Sequence, residues 1–410
     1  MPSLLNSRSF GSNNWCIKFE TLSNNNNVNN LLVSLSNGEC HVLDKNTLQS
    51  TTVAKVGNST ITGMINFAND NDMTNLFAVS CDKTVKIFDI RTPTKAEVVT
   101  TLNSNSPITA LTYDHNILCY GTELVGADAS IHMFHKKAFG GTPYRSFLDS
   151  HNADITCLKF HPQDPMIFSS GGTDGYCNIY DLTQEDEEDA LHQVINFSSI
   201  HSCGFSSFNR IYALSHIETF AIYSLNDKSG QLNEKPAKEF GDLRKSLQCN
   251  YIVDLYPGLI VAGSNNNSIK LIPFDSETEN FNTSKHIEID NCQNGEVVRD
   301  IFIPVGNNSN NLIYTCGEDG FVNCWKDDRI SSLKLPSSFW DYSENTEVFG
   351  NTVVEVDMDD DANPVEEKRR NITEETGIDK HKRKKKYDKK DKHKSKKYSR
   401  KDEDHRYKPY

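Results

Sequence analysis

Gly317-Glu318-Asp319-Gly320, running on through Phe321-Val322-Asn323 to Cys324-Trp325, decides the fold, because earlier parts of the chain repeat it. Gly171-Gly172-Thr173-Asp174-Gly175 leads into Cys177-Asn178-Ile179-Tyr180-Asp181. Ser80-Cys81-Asp82-Lys83 leads into Val85-Lys86-Ile87-Phe88-Asp89. Each copy reads as a short apolar strand, a tight turn carrying an Asp, and a second strand ending in an aromatic. The closing residues Asp44, Asp89, His135 and Asp181 follow one another at steps of 45, 46 and 46. Self-similarity at such a period marks a repeat architecture. Weaker copies pair 210–215 with 220–224 and 259–263 with 268–274, which brings the number to seven.

Ahead of each pair lies a further apolar stretch, as at 61–67, 108–113 and 154–160. Apolar residues at alternate positions there indicate strands. No sustained helical period occurs between residues 1 and 335, and the Gly, Asn, Asp and Ser clusters between strands are turn chemistry.

Over residues 12–330 these motifs resemble the WD-repeat family. The resemblance implies an all-β fold, a seven-bladed β-propeller with four strands in each blade. One blade cannot bury both faces of its sheet, whereas seven around an axis bury them and leave only short edges. It also implies structural hydrogen-bonded tetrads. In the fourth blade these are His151, Ser170, Asp174 and Tyr180, with Tyr where the family prefers Trp. In the seventh they are Thr315, Asp319 and Trp325, with Asn294 where His is expected, so that network reads as incomplete. The second keeps Asp82 and Phe88, with Ala78 in place of the hydroxyl. A buried Asp must accept hydrogen bonds, and His and the hydroxyl supply them. His-Ser-Asp in isolation would suggest a hydrolase; the repeat context assigns the trio a structural role. The runs 174–182, 187–191 and 198–205 are similar to the WD-repeat-containing protein 89 branch of the family.

The length of 410 residues allows two or three domains, but the repeat assigns 1–335 to one propeller and 336–410 to a tail. Eleven Cys are scattered without metal-site spacing, so no metal or cofactor is expected. Cys81, Cys157, Cys177, Cys316 and Cys324 lie on strands and read as buried core thiols of a reducing compartment. The N-terminus has no signal-peptide pattern and no apolar run reaches membrane-spanning length. The net charge is −13. Residues 341–410 carry 19 Lys and Arg against 18 Asp and Glu, so the acidity belongs to the propeller. The tail is acidic first, then basic, with 14 basic residues and only Asp388 and Asp391 between 380 and 401. Such a segment buries too little apolar surface to order itself. Its cluster Lys382, Arg383, Lys384, Lys385 and Lys386 fits a nuclear import signal and weak, sequence-independent contact with RNA or DNA.

The function expected is therefore that of a monomeric, non-catalytic scaffold binding other proteins in a nuclear assembly. There is no Gly-rich phosphate loop and no paired carboxylate outside the run Glu185 to Asp189, which reads as a solvated loop. Two alternatives stand beside it. Asp89-Ile90-Arg91 and Asp327-Asp328-Arg329 resemble the adaptor-binding motif of substrate receptors of cullin-type ubiquitin ligases, and the basic tail suits a ribosome-assembly factor.

Overall fold

Why a ring of blades forms is visible in the pairing of each apolar hairpin with the stretch before it. The computed structural model describes residues 1–24, 27–67, 73–92, 94–226, 235–265, 267–305, 311–333, 335, 336 and 339. Seven sheets follow one another along the chain, antiparallel except where the short strand Thr94–Lys95 pairs in parallel with the outer strand Ser50–Lys55 of the first. Their innermost strands are Cys16–Asn24, Ile61–Asn66, Ile108–Asp114, Ile155–Phe160, Ile200–Ser207, Tyr251–Tyr256 and Val298–Phe302. The seventh blade takes its outer strand from the N-terminus, Ser3–Ser9, which pairs with Phe321–Lys326 and closes the circle. The fold is thus the expected seven-bladed propeller. Helix is confined, among the described residues, to short turns such as Glu187–Ala190, Leu243–Leu247 and Ile330–Leu333.

The core lies between blades. Tyr180, Phe168 and Phe147 of blades three and four are fully buried, and Trp325 packs with Ile313 and Leu259 between blades six and seven. Cys81, Cys177, Cys316 and Cys324 are buried as expected; Cys157 is half-buried and lines the axial cavity. Its thiol lies 3.3 Å from that of Cys203 in the next blade.

All seven inner strands share one irregularity. The ladder skips a residue between Cys16 and Lys18, Ile61 and Gly63, Ile108 and Ala110, Ile155 and Cys157, Ile200 and Ser202, Ile252 and Asp254, and Val298 and Asp300. A bulge leaves the extra residue outside the pairing and turns it aside. Here the skipped residues, Ile17, Thr62, Thr109, Thr156, His201, Val253 and Arg299, all line the axial cavity.

Candidate functional site

The bulged residues latch neighbouring blades together. Thr62 Oγ1 donates to the Ile108 carbonyl (2.6 Å), Thr109 to Ile155 (2.5 Å) and Thr156 to Ile200 (2.7 Å). His201 Nε2 donates to the Val253 carbonyl at 3.0 Å. Val253 and Ile17 have apolar side chains and Arg299 sets its guanidinium over the Trp15 ring of blade one (5.4 Å to the centroid); carboxylates join these blades. Asp300 of blade seven accepts from Tyr256 of blade six (2.5 Å) and from the Phe19 amide of blade one (2.8 Å). Glu20 of blade one accepts from Asn66 of blade two at 2.8 Å. Every pair of adjacent blades is therefore joined by a side-chain hydrogen bond near the axis. At the far end of the inner strands, His115 Nε2 donates to the His161 carbonyl (2.9 Å) and His161 Nε2 to that of Phe208 (2.8 Å).

The axial cavity of about 220 Å³ also meets Lys18, Lys159, Asp254 and Cys157. Burial pushes the carboxyls of Glu20 and Asp300 above the usual range, with Lys18 nearby opposing it. Burial likewise raises the Cys40 and Cys119 thiols, which keeps them protonated and inert. Among the described residues no three His, Cys, Asp or Glu converge with a geometry able to hold a metal ion.

In blade four the four expected residues are brought together. His151 Nδ1 lies 2.9 Å from Asp174 Oδ2, His151 Nε2 lies 2.6 Å from Ser170 Oγ, and Ser170 Oγ lies 3.0 Å from Tyr180 OH. A neutral ring protonated on Nδ1 completes a relay in which Tyr180 donates to Ser170, Ser170 to His151, and His151 to Asp174. Burial alone would raise the Asp174 carboxyl; the His151 hydrogen bond and the amides of Tyr176 and Asn152 hold it below its ordinary value. Gly172 belongs to the site because a Cβ there would lie 2.6 Å from Asp174 Oδ1 and 2.7 Å from His151 Nδ1. Ser170 has no solvent exposure, so this Ser-His-Asp trio meets no substrate-sized space.

In blade seven the network is complete, contrary to the sequence expectation. Two amides divide the work of the missing imidazole. Gln293 Nε2 donates to Thr315 Oγ1 (3.1 Å) and Asn294 Nδ2 to Asp319 Oδ2 (2.9 Å), while Trp325 Nε1 donates to Thr315 at 3.0 Å. Asn294 reaches its partner from a left-handed backbone position, φ 49°. Without a cationic partner, burial raises the Asp319 carboxyl. Blade two departs further. Val79, opposite Lys86, holds the register position of Ser170, not Ala78. Asp82 sits at φ 51° in a two-residue turn.

The acidic run 185–189 is not simply solvated. Asp186 caps the short helix Glu187–Ala190, and Glu187 accepts from the Leu148 and Asp149 amides and the Ser150 hydroxyl. The guanidinium groups of Arg91 and Arg329 fold back onto Asp89 and Asp327 at 2.5 and 2.7 Å. The cluster Lys382 to Lys386 lies outside the described residues.

One face carries a different character. The loops that enter each inner strand and those between the second and third strands emerge together, by strand direction. Besides the buried tetrad residues Asp174 and Asp319, these loops hold eight acidic residues, among them Asp82, Glu123, Asp154 and Glu218, against Lys83, Arg244 and Lys245. Burial and the neighbouring Asp154 and Asp82 charges push the Glu123 carboxyl up. Trp15, Leu124, Val125 and Ile217 stand exposed on the same face.

A ring of seven blades, five of four strands and two of five, with these side-chain networks defines a WD-repeat propeller, and the chain belongs to the WD-repeat-containing proteins. The WD domain, G-beta repeat model matches residues 141–181. A WD repeat-containing protein of Saccharomyces cerevisiae is 43% identical over 391 residues, covering 95% of this chain and 97% of that protein. A Schizosaccharomyces pombe relative is 28% identical over 72% of this chain and 92% of its own length. The WD repeat-containing protein 89 homolog of Dictyostelium discoideum is 30% identical, covering 61% and 67% respectively. Among solved structures, Chaetomium thermophilum Raptor shares the fold at a TM-score of 0.59 and 10% identity, over 76% of this chain and 28% of that one. The family points to protein interaction, and no enzyme family is indicated.

Proposed function

We propose that this protein is a non-catalytic scaffold of a nuclear assembly, and that its acidic loop face receives a basic partner segment bearing apolar side chains. The carrying observation is that face: eight carboxylates outside the buried tetrads against three basic residues, interrupted by exposed Trp15, Leu124, Val125 and Ile217. Clustered charge steers an oppositely charged partner and excludes a like-charged one. Exposed aromatic and aliphatic groups then supply the desolvated anchor. The side-chain hydrogen bonds between neighbouring inner strands hold the loops on a common frame. Nuclear delivery rests on the Lys382–Lys386 cluster, and the same basic stretch suits weak contact with RNA or DNA.

A fluorescent fusion too large for passive diffusion tests the nuclear half. Ending the chain at Asp379 abolishes its nuclear concentration and leaves its partners in extract unchanged. Equal nuclear enrichment of the shortened chain would refute the assigned signal.

A further inference from the structure

Where inner strands adjoin, the residue just after the bulge of one blade meets the residue one place later in the next. Gly63 and Leu111 meet in this way, and a Cβ on Gly63 would lie 2.6 Å from the Leu111 Cβ. The same register pairs Ala110 with Leu158, Ser202 with Leu255 and Asp254 with Ile301. Only the seam between blades four and five receives two thiols. There Cys157 Sγ lies 3.3 Å from Cys203 Sγ, 46 residues further along the chain.

The backbone makes room for this contact. Gly171 pairs with Cys157 on one side and with Cys177 on the other. A Cβ on it would lie 2.7 Å from Cys157 Sγ and 2.8 Å from Cys203 Sγ. Access to the two thiols is unequal. Cys157 is half-buried and lines the axial cavity, whereas Cys203 and Cys177 are buried. Cys249 is the other half-buried cysteine of the eleven, and its thiol lies 4.0 Å from the Leu243 carbonyl, not beside a second sulfur.

We propose that Cys157 and Cys203 are an oxidisable pair, a modification site at which a peroxide entering the axial cavity joins blades four and five by a disulfide. Cys157 Sγ, as its thiolate, attacks one oxygen of hydrogen peroxide. The O–O bond breaks, the departing hydroxide takes the thiol proton to become water, and Cys157 is left as a sulfenic acid. Cys203 Sγ then attacks that sulfur. The S–O bond breaks, and the hydroxyl leaves with the Cys203 proton as a second water. Two thiols thus lose two electrons and one peroxide is reduced to two waters. The Cys203 contact and burial push the Cys157 thiol well above its ordinary value, so thiolate is scarce and the reaction is slow. The pair therefore responds to sustained oxidation, and a dithiol reductant restores it by exchange.

The test exposes the full chain to hydrogen peroxide, unfolds it with N-ethylmaleimide present, and maps its peptides by mass spectrometry with and without a dithiol reductant. The expected result is one dominant disulfide, between Cys157 and Cys203, that the reductant removes. The linked chain melts about 5 °C higher than the reduced one. Cys203→Ser loses both the link and the shift, and its Cys157 sulfenic acid is trapped by dimedone. Recovery of Cys157 unlinked from the treated unaltered chain, whether reduced or over-oxidised, overturns the proposal, as does a link from Cys157 to Cys177. The mapping uses the unaltered chain, so it decides the matter even where a variant fails to fold.

Discussion

Replacing Glu279 by Ala lowers the stability of the propeller by about 3–5 kcal/mol, the cost of leaving its partner as an uncompensated buried charge. That partner is Arg210, whose Nε lies 2.7 Å from Glu279 Oε1 with both side chains almost wholly buried. Arg210 uses its remaining donors on Ser224 Oγ (2.7 Å) and on the carbonyls of Lys235 and Pro236 at 2.8 and 3.1 Å. Lys235 adds a second cation 3.0 Å from Glu279. The network joins blade five to the turn before Asn280–Phe281 in blade six, where Glu279 itself has φ 53°. Replacing both charges, by Arg210→Met and Glu279→Leu, recovers much of the loss, since well-packed apolar residues rival a buried ion pair. Burial raises the Glu279 carboxyl, but Arg210 and Lys235 outweigh it and the net shift is downward. A carboxyl lowered in the folded state stabilises above its unfolded value of about 4.3 and loses that contribution as pH falls through the folded value. The deficit of Glu279→Gln in thermal melts therefore narrows on acidification below about pH 4.3. A deficit unchanged across that range would deny the charge pairing.

Asp300→Ala is the second large effect, because one carboxylate serves two blade interfaces. It accepts from Tyr256 on one side and from the Phe19 amide on the other. Each buried donor left without a partner costs about 1–3 kcal/mol, so the loss is about 3 kcal/mol. Asp300→Asn keeps an acceptor for one donor and loses less. Thr156→Val, which removes one of the repeated latches, costs about 1 kcal/mol. Thermal melts of the three variants rank them in that order. An Asp300→Ala protein as stable as Thr156→Val would mean that blades six, seven and one do not depend on this bridge.

Blade number was legible because the repeat is local. The closing position of the hairpin recurs every 45 or 46 residues through the first four blades, and the later, weaker copies keep the hairpin itself. The tetrad of blade four was legible for the same reason. Gln293 was not, since the imidazole it partly replaces left a single expected position, which Asn294 fills. The axial latches were half legible: Thr62, Thr109 and Thr156 recur at a step of 47, but His201, Val253 and Arg299 continue the position with unrelated chemistry. Asp300 and the pair Arg210 and Glu279 carry no local signal. They are set by contacts across the ring or 69 residues apart along the chain, which periodicity cannot register. Val79 was missed in blade two because a turn shorter by one residue shifts the register that Asp82 was used to count.

The claim that this protein works by contact through its acidic loop face meets its most direct test in quantitative affinity purification of the full chain carrying Leu124→Asp and Ile217→Asp. Both side chains are exposed, at 39% and 52%, so the fold keeps its stability to within about 0.5 kcal/mol. The account predicts that the proteins recovered with the unaltered chain fall to background with the double variant, while its melting temperature stays the same. Recovery of the same proteins in the same amounts would contradict it.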